Sequence, residues 1–312
     1  DWRPNIHLPA GFMKTFYDAS VNWKYEMEEG DWTGGRRIYA PRGKTLGGSS
    51  SINGHVYNRG QRFDFDTWAQ FGNRGWGYAD VLPYFRRTEI RIGAGDDTYR
   101  GREGSVSVTD LEWRHPLCEA FIEGCVQSGI PRNPDYNGAK QEGVSYVQRT
   151  IKNGRRVSTA GAYLRPAMKR PNLHVITKAH ATRIVIENGR AVGIEYRHGG
   201  AGGKDKQLTA SREVILSGGT YNSPQLLQLS GVGPGNVLRE QGIEVRHELA
   251  GVGENLRDHY APRLVARVKN ISTINEKTRG LSLAWEVANW ITRRKGLLTL
   301  NPTLVYCFWH SG

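Results

Sequence analysis

The chain has 312 residues, with 43 Lys+Arg against 30 Asp+Glu, a formal charge of +13, and 38% hydrophobic residues. That hydrophobic content excludes wholesale disorder, and no apolar run approaches the roughly 18 residues of a spanning helix. Three cysteines, Cys118, Cys125 and Cys307, make no disulfide framework and no CxxC metal spacing, so no metal is expected and a reducing, cytoplasmic setting is.

The length fits two domains. Residues 1–40 read as irregular and aromatic-rich, and 41–60 as a Gly/Ser-rich loop. The spacing of Val81, Leu82, Tyr84 and Phe85 predicts a helix over 78–89. Gly- and Asp-rich 93–104 is a surface loop, alternating 105–109 a strand, and 116–129 a helix with Leu117, Phe121 and Cys125 on its apolar side. A short helix is expected over 158–170. Strands are expected at 173–177, 183–187, 190–196 and 212–217, with Asn188-Gly189 and 199–206 as turns, which together suggest an antiparallel meander. Ser223 as N-cap and Pro224 at the first helical position predict a helix over 225–229. Alternation returns at 264–268, and 281–292 reads as an amphipathic helix.

The basic residues come in small scattered groups such as Arg36-Arg37, Arg155-Arg156 and Arg293-Arg294-Lys295. No C2H2 spacing, basic zipper or RRM signature accompanies them. A nucleic-acid-binding module therefore stands only as a remote alternative, with steep salt dependence as its signature.

Two segments can carry chemistry. The first runs from Pro41 through Arg42, Gly43, Lys44, Thr45, Leu46, Gly47, Gly48, Ser49, Ser50, Ser51, Ile52 and Asn53 to Gly54. Adjacent glycines let backbone approach a ligand, and successive amides can form an anion nest. Composition alone equally allows a flexible surface loop. The second runs from Gly218-Gly219 through Ser223-Pro224 to Gly231-Val232-Gly233-Pro234. It reads as strand, glycine turn and capped helix, which suits an anion or a polarised ring. A plain strand–helix corner would look the same.

In this order the two segments resemble the signatures of the glucose–methanol–choline (GMC) flavoprotein oxidoreductases. Val56-Tyr57-Asn58-Arg59-Gly60, Gly75-Trp76-Gly77-Tyr78, Arg156-Val157-Ser158-Thr159-Ala160 and Gly251-Val252-Gly253-Glu254-Asn255-Leu256-Arg257-Asp258-His259 look similar to that family as well. The closest flavour is choline-dehydrogenase-like. The resemblance implies a mixed α/β and α+β fold. In it a Rossmann-like FAD-binding domain is interleaved with an antiparallel-sheet substrate domain. Residues 1–56 and 157–258 would serve the cofactor, and 57–156 and 259–312 the substrate.

By the same resemblance, Thr45, Gly47, Gly48 and Ser49 would lie along FAD, and Asn53, Gly54, His55 and Val56 beside the flavin ring. Ala181 would hold the adenine by its backbone, and Gly218 and Gly219 would approach the cofactor from the sheet side. The family's G-x-G-x-x-G turn has no match here. Its catalytic His, with a His or Asn partner, has none either, and the resemblance puts that pair beyond Gly312. The chain is therefore expected to be incomplete at both ends and to hold no catalytic residue. Ile52 stands where some members tether FAD through a histidine, which implies non-covalent FAD. Thr303 stands where light-driven decarboxylases of the family carry a cysteine. The expected activity of the parent protein is oxidation of a primary alcohol by hydride transfer to flavin N5. The alternative is an inactive truncated fragment. His259 is expected to be structural.

Overall fold

The computed structural model describes residues 2–200 and 202–310, and these form two compact units, one of residues 2–173 with 269–310 and one within 174–268.

The first unit is built around a three-stranded sheet. Glu89–Ile92 runs parallel to Val106–Asp110, which pairs antiparallel with Gln148–Arg149. The helix Tyr78–Thr88 feeds directly into the first strand, and Pro116–Gln127 follows the second. Val305–Phe308 pairs with Gly143–Tyr146, with Val305 opposite Tyr146. Their apolar faces close a core of Leu111, Ile122, Val144, Val147, Leu297 and Leu300, against which Cys118, Cys125 and Cys307 also pack. The cysteines thus act as small apolar residues. A smaller cluster joins Ile6, Val21 and Ile52.

Inside this unit lies a buried ionic network. Glu89 accepts from both Arg59 and Arg100, and all three side chains are almost wholly out of solvent. Arg100 also pairs with Asp135 and donates to Gln148 Oε1 at 2.9 Å. Arg59 donates to the Tyr99 carbonyl at 2.6 Å, and its own N–H to Asn137 Oδ1 at 2.7 Å. Two guanidiniums on one carboxylate are tolerable here because nearly every remaining donor has an acceptor. The network fixes Gln148, whose carbonyl takes the Tyr57 N–H at 2.9 Å. The ionic core and the segment before Tyr57 are thereby linked through one backbone bond.

The second unit is a meander. Lys204–Thr209, Arg190–His198 and Ala179–Glu187 lie antiparallel in that spatial order. Asn188 and Gly189 both take left-handed φ values, 51° and 74°, as a tight hairpin requires. The helix Gly219–Leu229 packs on Ala179–Glu187, and Ser230 Oγ accepts the Ile184 N–H at 2.8 Å.

Several expectations are corrected. Residues 173–177, 212–217 and 264–268 form no strand, because no neighbour pairs with them among the described residues. The third meander strand instead starts at Lys204, inside the predicted turn 199–206, of which residue 201 lies outside the described residues. The helix after Gly218 begins at Gly219, so Pro224 lies within it and Ser223 is no N-cap. The short helix expected over 158–170 is present, as the π-helix Ala160–Leu164 running into the α-helix Arg165–Ala167. Residues 1–40 hold short helices, including Pro4–His7 and Phe12–Thr15.

Replacing Glu89 with Ala strands two guanidiniums in the interior. Urea unfolding should show a loss of about 3–5 kcal/mol. A loss below about 1 kcal/mol would contradict the network's role.

Candidate functional site

The loop from Thr45 to Val56 folds back on itself as a lid. Gly48 N–H donates to the Thr45 carbonyl at 2.8 Å, and Gly48–Ser51 make a single 3₁₀ turn. Gly47 and Gly48 hold φ of 88° and 53°, which L side chains rarely adopt. A Cβ on Gly47 would sit 2.6 Å from Ser51 Oγ, whereas one on Gly48 would meet nothing within 4 Å. The backbone at Gly48 is therefore open to approach.

The lid has two faces. Ser49, Asn53 and Val56 are exposed, while Ser51, Ile52 and His55 are buried. Ser51 Oγ donates to the Leu46 carbonyl at 2.8 Å, and Ser49 Oγ accepts the Gly43 N–H at 3.1 Å. Gly54 presses on Pro302, whose Cγ lies 2.5 Å from where a Cβ would stand, and its carbonyl accepts from Asn301 Nδ2 at 2.9 Å.

Three residues absent from the sequence-level site hold this loop in place. Ser50 Oγ lies 3.0 Å from Thr159 Oγ1 and accepts the Thr159 N–H at 2.9 Å. Arg156 enters from beneath. Its Nε donates to the Ile6 carbonyl at 2.8 Å, and its Nη1 reaches the carbonyls of Ser50 (3.1 Å) and Asn53 (2.8 Å) and Asn53 Oδ1 (2.8 Å). Arg156 closes the hairpin Ile151–Lys152/Arg155–Arg156, whose Asn153-Gly154 turn is left-handed at both residues. The sequence signal for these residues is the segment from Arg156 to Ala160, which carries part of the family resemblance.

Beside the lid lie polar atoms without partners. His55 is fully buried, and neither of its ring nitrogens has a hydrogen-bond partner. Arg156 Nη2, Arg149 Nε and Asn301 Oδ1 are likewise buried and unpartnered. Such groups cost free energy unless a ligand or water meets them. Burial, followed by the charges of Arg156 and Arg149, pulls the His55 imidazole down to about 3. Burial alone lowers the Arg156 guanidinium to about 9. Both effects have one sign, since desolvation disfavours the charged form.

The remaining predicted residues lie in the second unit. Ala181 is exposed on the strand Ala179–Glu187, opposite Tyr196. Gly218 and Gly219 are exposed at the start of the helix Gly219–Leu229, with Gly219 at φ 89° and open space where its side chain would be. The structure thus brings Thr45, Gly47, Gly48, Ser49, Asn53, Gly54, His55 and Val56 together in one loop. Ala181, Gly218 and Gly219 belong to the unit whose helix packs on their strand. His259 is exposed, and its N–H binds Asp258 Oδ1 at 2.8 Å. Gly312, beyond which the catalytic pair is expected, lies outside the described residues.

The glycine-rich loop, open at Gly48 and gripped from below by a hairpin arginine, lies within a stretch of the chain that matches a family of oxidoreductases. The chain belongs to the GMC oxidoreductase family, whose sequence model matches residues 10–261. It is 48% identical over 259 residues to the oxygen-dependent choline dehydrogenase of Sinorhizobium fredii, covering 83% of this chain and 46% of that protein. It is 42% identical over 299 residues to the oxygen-dependent choline dehydrogenase of Photobacterium profundum, covering 95% and 52%. The chain therefore spans about half the length of these curated relatives. Among solved structures, pyridoxine 4-oxidase from Mesorbium loti aligns with TM-score 0.74 and 30% identity over 80% of this chain and 48% of that one. A formate oxidase from Aspergillus oryzae, studied for its FAD modification, aligns with TM-score 0.85 and 26% identity over 97% and 54%.

The buried neutral His55 sets a pH dependence. Unfolding returns it to an ordinary value near 6.5, so below that pH the unfolded chain binds a proton that the native chain refuses. Stability should be independent of this group above pH 6.5 and fall progressively between 6.5 and about 3. His55→Asn, which tolerates the positive φ of 62°, should flatten that part of the slope in pH-dependent unfolding. An unchanged slope would show that other groups set it.

Proposed function

We propose that this chain forms the flavin-covering part of an FAD-dependent oxidoreductase and that the whole protein oxidises a primary alcohol, of the choline type, to an aldehyde. The observation that carries this reading is the lid, open at Gly48 and edged by unpartnered buried polar atoms, in a chain of this family. When bound, FAD supplies the redox chemistry by accepting hydride at flavin N5.

The chain's own residues bind and orient. Thr45, Gly47, Gly48 and Ser49 would offer backbone along the cofactor, and Asn53, Gly54, His55 and Val56 would border its ring. Ala181 would hold the adenine through its main chain, and Gly218 and Gly219 would allow close approach to the sheet side. In this scheme segments 1–56 and 157–258 serve the cofactor, and 57–156 and 259–312 the substrate. The unpaired groups near Asn53–Val56 are guanidinium N–H donors of Arg149 and Arg156, an imidazole with one donor and one acceptor, and the Asn301 amide oxygen, an acceptor, a mixture that suits a flat ring carrying both donors and acceptors.

Non-covalent attachment is supported by Ile52, which has no nucleophilic atom and packs with Ile6 and Val21. No residue of this chain is proposed as the base, and the catalytic His with its His or Asn partner is proposed to follow Gly312 in the whole protein. His55, held at about 3, is too weak near neutral pH, and His259 is exposed. A small alcohol is the proposed partner rather than nucleic acid, since Arg59, Arg91, Arg100, Arg183 and Arg197 are already paired with carboxylates of the chain. Three free thiols support a cytoplasmic setting. Among the described residues no helix is long and apolar enough to cross a membrane. The half-length match favours one second reading, in which these 312 residues alone turn over nothing.

Gel filtration after incubation with FAD tests the reading. Flavin absorbance should elute with this chain, and in the full-length protein it should bleach when a primary alcohol is added without oxygen. Flavin that elutes alone would overturn FAD binding by this chain. Flavin that alcohol bleaches in the full-length protein but not on these 312 residues would support the second reading.

A further inference from the structure

Among the buried arginines of the described residues, Arg156 and Arg149 lack a carboxylate partner, and Arg149 donates to the Thr299 carbonyl at 2.6 Å. Arg59 and Arg100 share Glu89, and Arg91 pairs with Asp110. Arg156, 6% exposed, has no carboxylate partner among the described residues. Its acceptors are three carbonyls and the Asn53 side-chain oxygen. These belong to two separate stretches of chain, the N-terminal turn at Ile6 and the lid at Ser50 and Asn53. One of its nitrogens, Nη2, is buried and unpartnered.

A buried cation without an acid is costly, and structures keep one where something else meets its charge. The lid supplies the context. The imidazole of His55 is neutral and bears no compensating charge. Asn301 Oδ1 and Arg149 Nε are unpartnered beside the same loop, through Asn301 on Gly54 and the Val56–Arg149 bridge. Two guanidinium nitrogens, an imidazole and an amide oxygen, all buried and unmet, thus gather beside one loop.

We infer that Arg156 is the positioning residue of the lid, fixing the Asn53–Gly54 peptide against the ligand, and that its unanswered positive charge is met by the negative charge a bound flavin ring gains on reduction. The inference rests on the FAD reading above. It makes two separable claims. The hydrogen bonds set how well the lid is formed, and hence FAD affinity. The charge sets how strongly the reduced ring is favoured over the oxidised one.

The test uses the full-length gene product with FAD as probe, and the variants Arg156→Met and Arg156→Lys. FAD affinity is read by fluorescence titration of the apoprotein, and the flavin reduction potential by equilibration with a reference dye. Arg156→Met should weaken FAD binding by about tenfold or more and lower the potential. Arg156→Lys, which keeps the charge but cannot reach all four acceptors, should weaken binding yet keep the potential near that of the wild type. Wild-type affinity and potential in Arg156→Met would overturn the inference and leave the FAD reading standing. Equal potentials in the Lys and Met variants, both below wild type, would overturn the charge claim. A wild-type protein that takes up no FAD would sink the FAD reading and this inference with it. If circular dichroism shows Arg156→Met unfolded, Arg156→Lys decides: weakened affinity at wild-type potential supports the inference, and unchanged affinity overturns it.

Discussion

The lid keeps its shape because one guanidinium is buried beneath it. Arg156 reaches Ile6, Ser50 and Asn53 at once, and so ties the N-terminal turn to the lid. Without those bonds a loop of glycines and serines would have many conformations of similar energy, since glycine loses the most freedom on ordering. The tight Asn153-Gly154 hairpin is what places the arginine there. A turn that only left-handed residues can make thus fixes a loop about a hundred residues earlier in the chain.

The ionic core supports the same loop from its other end. Glu89, Arg59, Arg100 and Asp135 fix Gln148, whose carbonyl holds Tyr57. Thr150 N–H then binds the His55 carbonyl at 2.9 Å. The lid is therefore clamped along both edges by the stretch 148–156, one end in a charged network and the other in a hairpin. His55 accepts burial and a left-handed backbone between the two clamps. That is the local strain such sites tolerate when their surroundings over-determine them.

Much of the fold could be read from the amino-acid pattern, and its failures have a common cause. The helices Tyr78–Thr88, Pro116–Gln127 and Gly280–Arg293 follow from their apolar spacing, and the hairpin at Asn188-Gly189 from its turn chemistry. These signals are local. Residues 173–177, 212–217 and 264–268 alternate equally well but find no pairing neighbour, and a strand is defined by its neighbour. Ser223-Pro224 satisfied a capping rule, yet Gly219, free to adopt φ 89°, let the helix start earlier. Thr45 to Val56 stand out in the sequence through residue order, and the structure gathers them in one loop. The grip of Arg156 and the isolation of His55 do not stand out there, because both arise from contacts about a hundred residues apart in the chain.

We propose that the loop from Thr45 to Val56 is a surface that covers a flavin. Amide hydrogen exchange with and without FAD tests that claim most directly, because it reads each segment separately. FAD should slow exchange at residues 45–56 and at 218–219 while leaving the core strands Val106–Asp110 and Gly143–Tyr146 unchanged. Unaltered exchange across 45–56 in the presence of saturating FAD would contradict the account.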